Sequence, residues 1–281
     1  MNHANFSKRW YSALRGISLF ALFVTLLSLI AVIAYVLLQG MGKMSWELLF
    51  GDYGVSPSIL PAFIGTVSLV LIASLIAIPI GVASAVFLVE YTNHKSKLVQ
   101  VIRIATETLA GIPSIVYGLF GYLIFVVAFG WGYSLLGGGI TLAIMILPVI
   151  VRSTEESLLA VPSALREGSY ALGTSKVGTI FRVVLPSASG GIVTAIILAI
   201  GRVVSESAVL ILTVGMVVNK MPQSVSSPGT SLALDIYYFA SHGYPDQAAA
   251  TSVVLLLLVV VINLLAWKLG KWIKKSTGES I

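Results

Sequence analysis

Six long apolar runs constrain the fold of this chain more than any other feature. A helix needs roughly 20 apolar residues to cross the hydrocarbon core of a bilayer. The runs that qualify are residues 17–38, 61–89, 104–129, 135–151, 187–217 and 248–267. Hydrophobic residues make up 57% of the 281 residues and charged residues only 10%, against about 25% charged in a soluble domain. The sequence therefore predicts an all-α integral membrane protein with six transmembrane helices.

The basic residues indicate how these helices are oriented. Fourteen of the 17 lysines and arginines lie in segments on the N-terminal side of the membrane, whereas Lys43 and Lys220 lie on the other side and Arg202 lies inside a span. Because loops rich in Lys and Arg stay in the cytoplasm, we expect both termini there. The first apolar run is too long for a signal peptide and has no small-residue cleavage site, so it is predicted to be a span.

Composition also excludes several kinds of site. The pI of about 9.5 comes from membrane-flanking residues, so it does not indicate nucleic-acid binding. The absence of cysteine excludes disulfides, thiolate chemistry and cysteine-based metal sites, and we predict neither a metal site nor a catalytic residue. The fragment "GTSK" resembles the G-x-S of intramembrane serine proteases, but Ser175 lies in a cytoplasmic segment and all three histidines lie outside the spans.

Residues that weaken helices recur inside the spans. Three prolines each remove a backbone hydrogen bond, and they are Pro79, Pro113 and Pro148. Small residues recur at helical spacing in "LAGIPSIVYGLFG", and they are Gly111, Ser114, Gly118 and Gly121. Such a stripe allows another helix to pack closely, and kinked helices that line a pathway would use the same residues. Between the last two spans, Leu232, Ile236 and Phe239 have helical spacing, which predicts a short helix on the outer surface.

Two charges lie deep in the fifth apolar run, in "GRVVSESAVLILTVG". An arginine at the centre of a bilayer costs roughly 2.5–3.5 kcal/mol on insertion scales, and Arg202 and Glu206, one turn apart, could partly neutralise each other. One interpretation is a structural ion pair between helices. The other is a translocation pathway for an anion, because the guanidinium fork matches two oxygens of a tetrahedral oxyanion. Arg152, near the inner end of the fourth span, would be a second such group.

A patterned polar segment, residues 153–186, is predicted on the cytoplasmic side between the fourth and fifth spans. Pro162 begins a short helix that Gly173 terminates in a left-handed conformation. Thr174 or Ser175 then caps a second helix that runs to Pro186. In the first helix four residues share a face: Leu165, Gly168, Ser169 and Leu172. This face either docks into a groove on another protein or covers the end of the helix bundle.

The stretch "EGSYALGTSKVGTIFRVVLP" resembles the E-A-A loop of bacterial ABC importer permeases, E-A-A-x-x-x-G-x₉-I-x-L-P. Glu167, Gly168 and Ser169 stand at the E-A-A positions, and Gly173 and Leu185-Pro186 also match, whereas Val183 replaces isoleucine. The resemblance implies a type I importer permease whose coupling helix, after Pro162, binds a cytoplasmic ATPase. The chain has no G-x-x-x-x-G-K-S/T motif, so ATP and Mg²⁺ are expected on that partner and no cofactor on this chain.

A closer resemblance is to the phosphate-specific Pst permeases, from about residue 60 to the C-terminus. It rests on "LAGIPSIVYG", "RSTEESLLAVPSALREGSYALG" and "GRVVSESAVL", and the tail resembles the PstA branch more than PstC. Ser205 departs from the glycine expected there. The resemblance implies these partners: a PstC-like second permease subunit, two copies of a PstB-like ATP-binding subunit, an extracytoplasmic PstS-like phosphate-binding protein and membrane lipids, with no nucleic acid.

The expected organisation follows from these segments. Residues 1–60 form an N-terminal cytoplasmic segment, the first span and an outer hairpin; 61–273 form the permease core; and 274–281 form a basic cytoplasmic tail. The predicted function is a subunit that carries inorganic phosphate across the bacterial inner membrane. The alternatives are a PstC-type subunit, a permease for sulfate or molybdate, and a secondary transporter, although the spans give no sign of an inverted repeat.

Overall fold

The computed structural model describes residues 3–51, 58–93, 96–218 and 220–276, and the ordered elements in those ranges are helices. Residues 277–281 of the predicted basic tail lie outside the described residues. The α-helices are α1 (His3–Met41), α2 (Trp46–Phe50), α3 (Leu60–Val86), α4 (Lys97–Ala110), α5 (Ser114–Gly121), α6 (Leu135–Leu159), α7 (Ser163–Ala171), α8 (Lys176–Thr179), α9 (Leu185–Val204), α10 (Ala208–Thr213), α11 (Leu232–Ser241) and α12 (Pro245–Ser276). Three π-helical segments extend α3, α5 and α8: Phe87–Tyr91, Tyr122–Ala128 and Ile180–Val184.

The predicted apolar runs are helical. Within the described residues, five helical stretches are long and apolar enough to cross a membrane: Trp10–Met41, Leu60–Tyr91, Leu135–Leu159, Lys176–Val204 and Pro245–Lys268. A sixth candidate is the pair Val99–Ala110 and Ser114–Ala128, whose halves are bent by 98° at the break between them. The all-α membrane fold is therefore confirmed, but the predicted third span is not one straight helix.

The core of the bundle is formed by α3 and α6, which pack along much of their lengths, with α9 against both. Small residues of α3, such as Ala73 and Ala77, allow Leu142 and Ile146 of α6 to approach closely, and all four are fully buried. By contrast, α1 contacts α12 and exposes apolar side chains along most of its length. Such an exposed apolar surface suits contact with lipid or with another membrane helix.

The prolines act differently from one another. Pro79 and Pro148 lie inside the continuous helices α3 and α6, whereas Pro113 lies at the break between α4 and α5. The prediction that a second hairpin helix ends at Pro186 is wrong. The chain continues helically from Lys176 to Val204. Pro186 lies inside this stretch, just after the π-helical segment Ile180–Val184, where the pattern of backbone hydrogen bonds changes.

The predicted helix between the last two spans is confirmed as α11. Ser231 caps its N-terminus by accepting a hydrogen bond from the backbone N–H of Leu234. The Thr66 hydroxyl of α3 accepts a bond of 2.9 Å from the N–H of Leu232, and Phe239 is fully buried. Because Thr66 is near the start of α3, α11 and the polar segment around α7 lie at opposite ends of the bundle.

Candidate translocation and coupling site

Arg202 and Glu206 lie on either side of a helix end. Arg202 is in the last turn of α9, which ends at Val204, and the Ser205 hydroxyl donates to the carbonyl of Gly201 at 3.0 Å. Glu206 follows in a non-helical step before α10 begins at Ala208. The Glu206 carboxylate accepts a bond of 3.3 Å from the backbone N–H of Val209. Glu206 therefore provides a hydrogen-bond acceptor for a backbone N–H at the start of α10.

The i, i+4 ion pair between these residues does not form. Among the described residues, no ion pair within 4.0 Å involves either Arg202 or Glu206. The expected pairing required one continuous helix, and the helix instead ends between the two residues. Arg202 is half-buried, and no carboxylate of the described residues lies within ion-pair distance of its guanidinium, so its charge is available to an anion.

The break after α9 lies against the other broken helix. The hydroxyl of Tyr117, in α5, donates a bond of 2.8 Å to the carbonyl of Leu109, across the α4–α5 break, and Arg202 interacts electrostatically with the same tyrosine. A Cβ placed on Gly118 would lie 3.0 Å from the Cα of Val209 in α10, so the two backbones touch. Irregular backbone at membrane depth is tolerated where it is buried in protein or lines a water-filled cavity. The structure therefore brings both breaks to one place, beside Arg202.

Arg152 has a different environment. It lies on α6, with its side chain 52% exposed, and it pairs with Glu107 of α4 at 2.6 Å and with Glu156 at 3.1 Å. Arg103 pairs with Glu155 beside it, at 2.8 Å. No hydrogen bond or ion pair among the described residues joins Arg152 to Arg202. An anion would have to displace two carboxylates from Arg152, so this residue is a weaker candidate for a substrate contact than Arg202.

The hairpin helix α7 has a solvent-exposed apolar face. Leu165 is 44% exposed and Leu172 is 88% exposed, and a Cβ on Gly168 would meet no atom within 4 Å. Glu167 is also exposed. Gly173 ends the helix with a φ of +77°, as predicted, and the Ser175 hydroxyl caps α8 by accepting from the N–H of Gly178. The exposed face leaves room for a partner.

Ser169, predicted on the same face, is not exposed. Its side chain is buried, and its hydroxyl lies 2.9 Å from the hydroxyl of Thr179 in α8. The chain folds back after Gly173, which places α8 against Ser169, four residues after Leu165. Leu185 and Pro186 lie at the start of α9, inside the long helix rather than on the exposed face.

The predicted stripe of small residues is divided by the α4–α5 break. Gly118 and Gly121 face α10 and α6, where a Cβ on Gly121 would contact Thr141 and Thr213. Gly111 caps the C-terminus of α4, and Ser114 begins α5. Only the second half of the stripe therefore mediates close helix packing, and the first half forms the break.

Sequence reasoning missed Glu90 and Arg166, which form the most buried ion pair among the described residues. They are 76 residues apart, so no local pattern joins them. The available signal was the carboxylate at the end of an apolar run, in "FLVEYT". A charge in such a place usually has a partner.

Comparison with known proteins agrees with this architecture. Residues 77–277 match the family model described as binding-protein-dependent transport system inner membrane component. The probable ABC transporter permease protein YqgI of Bacillus subtilis is 34% identical over 266 residues, covering 88% of this chain and 90% of that protein.

Two further similarities are to a relative that matches part of the chain and to a solved structure. Phosphate transport system permease protein PstA 1 of Mycobacterium tuberculosis (strain H37Rv) is 42% identical over 154 residues, which are 55% of this chain and 49% of that protein. The chain thus spans about half the length of this relative. A bacterial alginate ABC transporter, solved in complex with an alginate-bound periplasmic protein, has a chain with a TM-score of 0.69 at 14% identity, covering 97% of this chain and 98% of that one.

The match to the family model extends over most of the chain, and its broken and continuous spans form the fold of ABC importer permeases. This chain belongs to the family of binding-protein-dependent transport system inner membrane components, the multi-pass permease subunits of ABC importers.

Proposed function

We propose that this permease carries inorganic phosphate inward through the membrane, and that Arg202 contacts the anion on its way. The observation that carries the proposal is a half-buried guanidinium without an ion-pair partner among the described residues, placed where two broken helices meet. A charge kept at such a position needs a reason, because burying it costs free energy. A passing tetrahedral oxyanion supplies that reason, and relatives named as PstA phosphate permeases support phosphate in particular.

Glu206 limits how tightly the anion is held. Its carboxylate lies just beyond the end of α9 and is already bound by the N–H of Val209, so it stays close to the pathway. A conduit must release its substrate as well as attract it. Arg152, held by Glu107 and Glu156, would then act in the pathway only when those pairs open.

The proposed complex has the partners expected for such a permease. A second, PstC-like permease subunit completes the pathway, two PstB-like subunits hydrolyse ATP with Mg²⁺, and a PstS-like protein delivers phosphate from outside. In this arrangement the termini and α7 face the cytoplasm, and this chain itself holds no cofactor. The exposed face of α7, with Leu165, Gly168 and Leu172, would bind the ATPase.

The test is uptake of radiolabelled phosphate by the reconstituted complex in proteoliposomes. We expect uptake that requires ATP, persists when ionophores collapse ion gradients, and is not inhibited by excess sulfate or molybdate. Uptake of sulfate or molybdate in place of phosphate would favour a permease for another oxyanion, which the relative YqgI, named without a substrate, leaves open. Uptake that depends on the gradient alone would indicate a secondary transporter.

A further inference from the structure

Arg166 of α7 points away from the exposed face and into the bundle. Its side chain is 18% exposed, and that of Glu90, its partner in the π-helical end of α3, is 6% exposed. Nε and Nη2 of Arg166 donate to Oε1 of Glu90 at 3.1 and 2.8 Å. Nη1 donates to the carbonyl of Val161 at 2.8 Å, and Nη2 also donates to that of Leu158 at 3.0 Å. All three guanidinium nitrogens are therefore engaged.

These bonds join three parts of the molecule at one side chain. Leu158 is in the last turn of α6, Val161 is in the turn before α7, and Glu90 ends the helix that begins with α3. The carbonyl of Leu158 is at the C-terminus of α6, where a cation is favoured by the helix dipole. Arg166 thus links α7 to the same end of both α3 and α6, the two helices that form the core.

A second contact ties the same two regions together. Nζ of Lys176, at the start of α8, lies 4.7 Å from the centroid of the Tyr91 ring, and Tyr91 follows Glu90 directly. The bond between Ser169 and Thr179 fixes α7 to α8. These polar contacts connect α7 to α8 and to the end of the helix that begins with α3.

A buried ion pair is a poor device for stability alone, since apolar residues of similar volume are often as good or better. The pair instead fixes the orientation of α7 relative to the end of α3, because the guanidinium donates its hydrogen bonds in a fixed planar arrangement. We propose that Arg166 is the positioning residue through which a movement of α7 is transmitted to the ends of α3 and α6. This inference rests on the proposed function, in which the ATPase binds the exposed face of α7.

The variants separate transmission from stability. Arg166→Met leaves the carboxylate of Glu90 buried without its partner, whereas the double variant Arg166→Met/Glu90→Met removes both charges and restores an apolar contact. Arg166→Lys keeps the charge and loses the fork. Arg182→Met is the matched control, because Arg182 is exposed on the same hairpin and forms no ion pair within the described ranges.

The measurement is phosphate transported per ATP hydrolysed, together with the yield of assembled complex. In the double variant we expect normal assembly and ATP hydrolysis but a ratio lowered by about 5-fold or more, the lower end of usual coupling between sites. Arg166→Lys should recover part of the ratio, and Arg182→Met should match the unmodified complex. A double variant with an unchanged ratio would overturn the inference, and so would its failure to assemble, because the pair would then serve folding. If the unmodified complex takes up no phosphate, the proposed function fails instead.

Discussion

Gly168 allows the proposed ATPase-binding face of α7 to be changed without changing the permease fold. In Gly168→Leu the new side chain starts from a Cβ that meets no atom of this chain within 4 Å. Replacing glycine by leucine in a helix also stabilises the helix, by about 0.5–1 kcal/mol. The permease should therefore fold and insert at least as well as before. A leucine added to a tightly packed contact costs about 1–3 kcal/mol, so the affinity for the ATPase should fall about 5- to 150-fold.

The assay is binding of the purified ATP-binding subunit to the detergent-solubilised permease, followed by ATPase stimulation in the complex. Gly16→Leu is the matched control, because Gly16 is also helical and open within 4 Å but lies on α1, far along the chain from the hairpin. We expect equal membrane levels for both variants and weakened binding only for Gly168→Leu. Unchanged affinity and stimulation in Gly168→Leu would refute the idea that this face docks the ATPase.

Two further predictions concern the rest of the chain. Burial raises the pKa of the Asp235 carboxyl in α11 to about 7 from its ordinary 3.8. The stability that the protonated carboxyl contributes to the folded protein is therefore fully present below about pH 4 and is lost as the pH rises to about 7. Asp235→Asn should abolish that loss and raise stability above pH 7 by up to about 4 kcal/mol, measured as thermal unfolding at pH 5 and 8; an equal pH dependence in both proteins would contradict it. For topology, a single cysteine at Ser163 should react with an impermeant thiol reagent only in opened cells and one at Ser226 in intact cells, and labelling of the Ser163 cysteine in intact cells would reject the proposed orientation.

The apolar runs were sufficient to predict the spans, because hydropathy averages over about 20 residues and tolerates local irregularity. The same averaging concealed the break between α4 and α5 and the break between α9 and α10. Pro113 breaks a span, whereas Pro79 and Pro148 remain within continuous helices, and a proline by itself does not distinguish the two cases. The difference lies in the surroundings, since Tyr117 bridges the first break and neighbouring helices pack against it.

The candidate site was predictable in its residue types more than in its contacts. The charge of Arg202 in an apolar run indicated a functional residue, but its expected pairing with Glu206 assumed a continuous helix that ends at Val204. Periodicity likewise placed Ser169 with Leu165, although a fold-back after Gly173 turns it inward. Long-range pairs such as Glu90 with Arg166 depend on the packing of α7 against the bundle, which no local pattern encodes.

The central claim is that an anion passes Arg202, and the direct measurement is phosphate uptake alongside the yield of assembled complex in three variants. Because Arg202 and Glu206 form no ion pair, removing the charge of Glu206 as well should not restore the phosphate uptake that is lost when the charge of Arg202 is removed. We predict that Arg202→Gln and Arg202→Gln/Glu206→Gln assemble normally, hydrolyse ATP and take up no phosphate, while Arg202→Lys keeps part of the uptake since it lacks the bidentate fork. Uptake at the unmodified rate in the double variant would contradict the account, because the two charges would then only hold helices together.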